Sequence, residues 1–306
     1  MQTPETTYDQ LTDRVAALYE QGDYQAALEL LDRADDSLRP WLAELTHLRA
    51  CFLGVLGEPE AALAALQSAA SAGFWWDQSL LTEDDDLASL QTLPGLTALL
   101  ELSEANRAEA NPETATPVLE LPTGEVRGIV VALHGAGQRA THAARDWASV
   151  IPLGYALLSV ESSQLMSPMY RTWPDPARSL DDVAQGLTQL PEKLQSLPLI
   201  AAGFSAGGRV ALDWALTGQP RPVDGVIVLA PALRRLPTEA YGALEPAVVL
   251  MGSDDDLREV VEEAREQLAG FGVRIEWLPG VGHEVPADFA DRLAQLFRTQ
   301  NVRNEG

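Results

Sequence analysis

The chain has 306 residues, 46% hydrophobic, with 21 Lys and Arg against 45 Asp and Glu, a formal net charge of −24. That length fits about two domains, and the acidic surplus argues against nucleic acid or an anionic membrane as main partner, because phosphate binding needs clustered positive charge. No apolar run is long enough to span a bilayer, and the single Cys51 cannot form an intramolecular disulfide.

In chain order, the first nine residues are polar and acidic, unlike a secretory signal, so a cytoplasmic protein is expected. Residues 1–110 read as an all-α domain. Gly22-Asp-Tyr-Gln-Ala-Ala-Leu-Glu-Leu-Leu-Asp-Arg-Ala34 and Gly57-Glu-Pro-Glu-Ala-Ala-Leu-Ala-Ala-Leu-Gln-Ser-Ala69 repeat at an offset of 35 residues, aligning Ala27 with Ala62 and Leu31 with Leu66. A helical stretch precedes each (residues 8–20 and 41–53), giving helix, glycine turn, helix, twice. The unit resembles tetratricopeptide-type hairpins, whose period is about 34 residues. Such hairpins need neighbours to bury their faces, so protein contacts or self-association through this domain are expected. Residues 73–100 read as a degenerate third hairpin with Trp75 and Trp76 as packing residues. Glu83-Asp84-Asp85-Asp86 reads as the acidic start of a helix rather than a metal loop, which would carry glycine and alternating acidic ligands. His47 reads as an ordinary surface or core side chain.

Residues 111–117 are polar and proline-punctuated, a linker. From residue 118 to 306 the texture is that of an α/β domain. Strands are predicted at residues 118–121, 126–133, 155–160, 199–202, 223–229, 247–251 and 273–278. Helices are predicted at 140–150, 176–194, 208–217, 257–269 and 287–299. Near-continuous apolar strands alternating with helices imply a mostly parallel sheet covered on both faces.

Five loops in this domain carry chemistry. His134-Gly135-Ala136-Gly137 follows the second strand, and its glycines allow a backbone N–H to face a developing oxyanion; the donors are the amides of Ala136 and Ala206. His134 belongs to that loop's framework. The irregular segment 161–176 follows a strand, where Met169, Tyr170 and Trp173, with Met166, can line an acyl pocket and Arg171 can meet a substrate carboxylate. Gly203-Phe204-Ser205-Ala206-Gly207 joins a short strand to a helix, the context in which a serine is exposed on a sharp turn as a nucleophile. Gly252-Ser253-Asp254-Asp255-Asp256 follows another strand; its G-x-x-D spacing selects Asp255 as the acid, with Asp254 next. His283, in Gly280-Val281-Gly282-His283, follows the last strand and suits a general base.

The order Ser205, Asp255, His283, with the His-Gly-Ala-Gly, Gly-Phe-Ser-Ala-Gly-Gly and Gly-His-Glu stretches, resembles the α/β-hydrolase superfamily, and within it the phospholipase/carboxylesterase and dienelactone-hydrolase branch. The resemblance implies hydrolysis of small-molecule carboxylic esters or thioesters through an acyl-enzyme, with no metal or organic cofactor. Two other classes fit the residues: a serine peptidase of the same fold, and a non-catalytic interaction protein built on the helical repeats.

Overall fold

Gly22 and Gly57, the first residues of the two repeats, both take positive φ, +72° and +79°. At the first, the Asp23 N–H closes on the Leu18 carbonyl at 2.9 Å; at the second, the Glu58 N–H closes on Leu53 at 2.8 Å, the same bond displaced by one repeat. A left-handed glycine after a helix end satisfies its last carbonyls and turns the chain back. The hairpins so formed are α1 (Pro4–Glu20) with α2 (Tyr24–Asp32), and α3 (Leu42–Val55) with α4 (Pro59–Ser71), in a computed structural model that describes residues 3–34 and 36–304. Residues 1, 2, 35, 305 and 306, which include the outer ends of both expected domains, lie outside the described residues. The chain divides into two compact units, Met1–Glu113 with Leu165–Tyr170, and Thr114–Gln164 with Arg171–Gly306.

In the first unit the aligned positions Ala27 and Ala62 are both fully buried, and Leu31 and Leu66 enter the same apolar core. The third helical region is less regular than a hairpin: α5 (Gln78–Thr82) is short, a 3₁₀ segment spans Asp85–Thr92, and α6 (Leu96–Glu109) closes the unit. Asp84 caps the 3₁₀ segment by accepting the Asp86 N–H, so the acidic run does start a helical element. Trp76 is core: its indole N–H donates to the Ala43 carbonyl at 3.0 Å, and its backbone N–H to Ser103 Oγ at 2.8 Å. Glu44, on α3, is buried and holds the Leu165–Tyr170 segment, its Oε1 accepting the Ser167 hydroxyl at 2.5 Å and the Met169 N–H at 2.9 Å. Burial raises this carboxyl above the usual glutamate range, against the opposing pull of those two hydrogen bonds.

The second unit is built on seven strands: β1 (Val118–Glu120), β2 (Gly128–Leu133), β3 (Tyr155–Val160), β4 (Leu199–Phe204), β5 (Gly225–Leu229), β6 (Ala247–Gly252) and β7 (Arg274–Leu278). Their order is β1-β3-β2-β4-β5-β6-β7, with β1 alone antiparallel. Strands β2 to β6 are buried along their whole length, as their unbroken apolar runs require when helices cover both faces. The helices are α7 (Ala140–Trp147), α8 (Pro176–Leu187), α9 (Ser205–Thr217), α10 (Arg258–Glu263), α11 (Arg265–Gly270) and α12 (Phe289–Asn304). The single helix expected over 257–269 is two short ones meeting at Ala264. From β2 the chain crosses to β3 on one side, whereas β4 lies on the other side and leads on to β5. Such a reversal opens a crevice at the carboxyl ends of the two strands, where ligands bind in open α/β sheets. β2 ends at Leu133, level with Gly203 of β4, so the His134 loop and Ser205 leave the sheet side by side.

Candidate active site

Strand β4 passes into α9 without a loop, and Ser205 is the hinge, with φ +52°. A non-glycine residue there is strained, and the strain persists only because the surroundings fix it. Two glycines provide the space. A Cβ on Gly203 would lie 2.6 Å from the Gly207 carbonyl oxygen, and one on Gly207 would lie 2.4 Å from the carbonyl oxygens of Leu133 and His134. The G-x-S-x-G pattern is therefore a packing requirement of the turn. From the β5 end, the Ala232 N–H donates to the Ser205 carbonyl at 3.0 Å.

His283 and Asp255 arrive on loops stitched to one another. A Cβ on Gly252 would fall 2.2 Å from the Val281 carbonyl oxygen, the Asp254 N–H donates to that oxygen at 3.0 Å, and the Gly280 N–H donates to Ser253 Oγ at 2.8 Å. The pairing that results is His283 Nδ1 to Asp255 Oδ2 at 2.9 Å and His283 Nε2 to Ser205 Oγ at 2.9 Å. A carboxylate only accepts, so Nδ1 carries the imidazole proton and Nε2 turns its lone pair to the Ser205 hydroxyl. The Asp255 side chain is wholly buried while that of His283 is 36% exposed, and the Phe204 ring lies against the imidazole at 4.9 Å between centroids. Asp254 and Asp256 are exposed.

Beside them is the β2 loop. Gln138 folds back to accept the Gly135 N–H through Oε1 at 2.9 Å, Gly137 takes φ +74°, and its N–H donates to the Arg171 carbonyl at 2.8 Å. The Ala136 N–H has no protein acceptor among the described residues, and the Ala206 N–H lies in the first turn of α9, where the helix supplies none. His134 is fully buried with both ring nitrogens engaged: Nδ1–H donates to the Gly135 carbonyl at 2.7 Å, and Nε2 accepts the Ser162 N–H at 3.1 Å. Burial lowers its pKa to about 4, so the ring is neutral. This histidine braces the loop, as its position indicates.

The segment 161–176 is divided. Met166, Met169 and Tyr170 belong to the helical unit, whereas Trp173 is fully buried in the core of the second unit, its indole N–H donating to the His134 carbonyl at 2.8 Å. Arg171 is also buried; it pairs with Glu161 at 3.2 Å and donates to the Ser162 carbonyl at 2.8 Å. Glu161 in turn holds Arg139 at 3.1 Å and the Ala140 N–H at 3.1 Å. Sequence reading missed Glu161, Gln138 and Ser162 as braces of the β2 loop, because each acts on a residue distant in the chain or through a side chain common in loops.

Two family models match the chain: an A/B hydrolase-like N-terminal domain over residues 7–111 and the serine aminopeptidase S33 model over residues 124–252. No curated protein matches the sequence with significance. Among solved structures, an uncharacterized protein from Bacillus cereus ATCC 10987 is 21% identical, with 97% of this chain and 99% of that one covered and a TM-score of 0.51. The Zea mays acyl-protein thioesterase 2 is 17% identical, covering 61% and 99% of the two chains, with a TM-score of 0.48. The Bacillus cereus carboxylesterase is 16% identical, covering 61% and 95%, with a TM-score of 0.49. No helix of the described residues is long and apolar enough to cross a membrane. With a mostly parallel sheet, an all-helical N-terminal unit and both family models in sequence, the chain is similar to the α/β-hydrolases and has their fold, with a helical domain ahead of it.

Proposed function

We propose that the protein is a serine hydrolase that cleaves small carboxylic esters or thioesters through an acyl-enzyme. The observation that carries the reading is the continuous chain from Ser205 Oγ through His283 to Asp255, two contacts of 2.9 Å with the serine on a positive-φ turn. His283 Nε2 takes the hydroxyl proton as Ser205 Oγ attacks the substrate carbonyl, and the imidazolium is stabilised by Asp255. The tetrahedral oxyanion is held by the N–H groups of Ala136 and Ala206. His283 then protonates the leaving alcohol or thiol, and a water activated by the same imidazole releases the acid.

A second reading, a peptidase of the same fold, is favoured by the match of residues 124–252 to the serine aminopeptidase model. Both use the same Ser205 chemistry and differ in the bond cleaved. The first experiment is labelling of the full chain with a fluorophosphonate and measurement of intact mass, with Ser205→Ala as control. One adduct on the wild type and none on the variant supports an activated serine; no adduct on folded wild-type protein overturns both readings and favours an interaction protein built on the helical repeats. Parallel rates on aryl esters of increasing acyl length, an acyl thioester and aminoacyl and prolyl arylamides then separate esterase from peptidase. The helical hairpins of residues 4–71 would serve protein contact or self-association, which size-exclusion chromatography with light scattering measures.

A further inference from the structure

Helix α3 places His47 and Cys51 four residues apart, one turn from each other on the same face. The 3₁₀ segment Asp85–Thr92 comes up against that helix through Gly54, where an added Cβ would lie 2.1 Å from the Asp86 carbonyl oxygen. The approach of the two backbones depends on that glycine and sets Asp84 beside the pair. Cys51 Sγ is 3.5 Å from Asp84 Oδ2 and 3.8 Å from His47 Nδ1, and one donor atom from each residue lies within 4.8 Å of the others. Two further contacts orient the group. His47 Nε2–H donates to the Leu80 carbonyl at 2.9 Å, which leaves Nδ1 as the bare nitrogen, and Asp84 Oδ1 accepts the Asp86 N–H at 3.0 Å, which leaves Oδ2 facing the thiol and 3.6 Å from His47 Nε2.

We propose that His47, Cys51 and Asp84 form a binding site for a divalent cation of the zinc class. A thiolate, an imidazole and a carboxylate are a borderline-soft donor set suited to zinc. Bond lengths of about 2.0–2.3 Å at tetrahedral angles place neighbouring ligand atoms roughly 3.5 Å apart, which is the spacing of the thiol to its two partners here. The carbonyl bond on the far nitrogen of His47 is the usual support of a metal-bound imidazole. On binding, the Cys51 thiol gives its proton to solvent and the sulfur–metal bond forms, with no change of oxidation state. Three protein ligands leave a fourth position for water. The ion would tie α3 to the segment after α5, and the site is independent of the hydrolysis proposed above.

The test uses the full chain after chelator treatment. Cobalt(II) is titrated in and followed by absorption, and zinc affinity is measured by competition with a chromophoric chelator. The expected result is one equivalent bound, with a near-ultraviolet thiolate-to-cobalt charge-transfer band. Cys51 is the only cysteine of the chain, so no other residue can produce that band. His47→Gln and Asp84→Asn should each weaken zinc binding by about tenfold or more, and Cys51→Ser should abolish the band. Absence of the band in wild-type protein overturns the proposal without recourse to a variant. Zinc binding of equal strength in folded Cys51→Ser protein overturns it as well, since the ion would then sit on surface carboxylates.

Discussion

Asp255 divides its carboxylate between two partners, Oδ2 facing His283 Nδ1 at 2.9 Å and Oδ1 accepting the Leu257 N–H at 2.8 Å. The backbone bond aims the carboxylate, and the aimed oxygen selects the imidazole tautomer. In Asp255→Asn an amide N–H₂ can turn to Nδ1 and favour the Nε2–H form, which cannot accept the Ser205 proton. Ester turnover by this variant should fall about 10³–10⁴-fold with little loss of thermal stability. Asp254→Asn and Asp256→Asn, both at exposed positions, should stay within about threefold of wild type in kcat/KM. Steady-state kinetics on an aryl ester decide it, and an equal loss at residue 254 or 256 would move the acid's role there.

Gly207→Ala should destabilise the second unit by about 1–3 kcal/mol. Its Cβ would press on the carbonyl oxygens of Leu133 and His134, and backbone cannot rotate away as a flexible side chain can. Gly242→Ala, where nothing lies within 4 Å of the added carbon, is the control and should be near neutral. Urea unfolding of the two variants measures the contrast, and equal midpoints would show that the elbow tolerates a wider turn.

His134 predicts a loss of stability in acid. Its pKa falls from 6.5 in the unfolded chain to about 4 when folded, so the unfolded state binds the extra proton between these values. Stability from this group is complete above pH 6.5 and declines as pH falls towards 4, by about 3 kcal/mol in all. The denaturation free energy of wild type should therefore approach that of His134→Gln as the pH is lowered through this window. Parallel pH profiles for the two proteins would show that the histidine does not titrate on unfolding.

Glu44 should act in the opposite sense. Its folded pKa is raised above the ordinary 4.5 by burial, so the folded state holds the proton more tightly than the unfolded one. Stability from this group is complete below 4.5 and is lost as pH rises through the raised folded value. Glu44→Gln keeps an oxygen for Ser167 and Met169 without a charge, so its melting temperature should rise relative to wild type with increasing pH. Differential scanning calorimetry at several pH values gives the comparison, and a constant offset would mean the carboxyl is ionised throughout.

Features set by near neighbours in the chain were readable before the fold was known. The Gly203–Gly207 turn, the apolar strands β2 to β6 and the repeat of Gly22 at Gly57 each rest on contacts within one supersecondary unit. The order of the three strand-end loops completed the candidate site. Side-chain direction inside an irregular loop was not readable, since an aromatic residue there serves a pocket wall or a core equally well. Trp173 is core, and its neighbours Met169 and Tyr170 pack with the helical unit. The Glu161 pairing with Arg139 and Arg171, and the Glu44 bond to Ser167, join residues that no local pattern connects. The break at Ala264 also left no mark, because the apolar spacing of residues 257–269 runs on across it.

The assignment of Leu165–Tyr170 to the helical unit means that the polypeptide passes between the two units three times, after Glu113, Gln164 and Tyr170. The two are therefore interlaced in sequence rather than joined end to end. Deleting residues 1–110 would strip Ser167 and Met169 of the carboxylate they bond, and leave in the remaining chain a six-residue piece of the unit that was removed. Recombination at a single crossover, in a laboratory library or in a genome, could not exchange one unit intact. An inheritable swap would have to carry the distant hexapeptide along with the helices, which binds the histories of the two parts together.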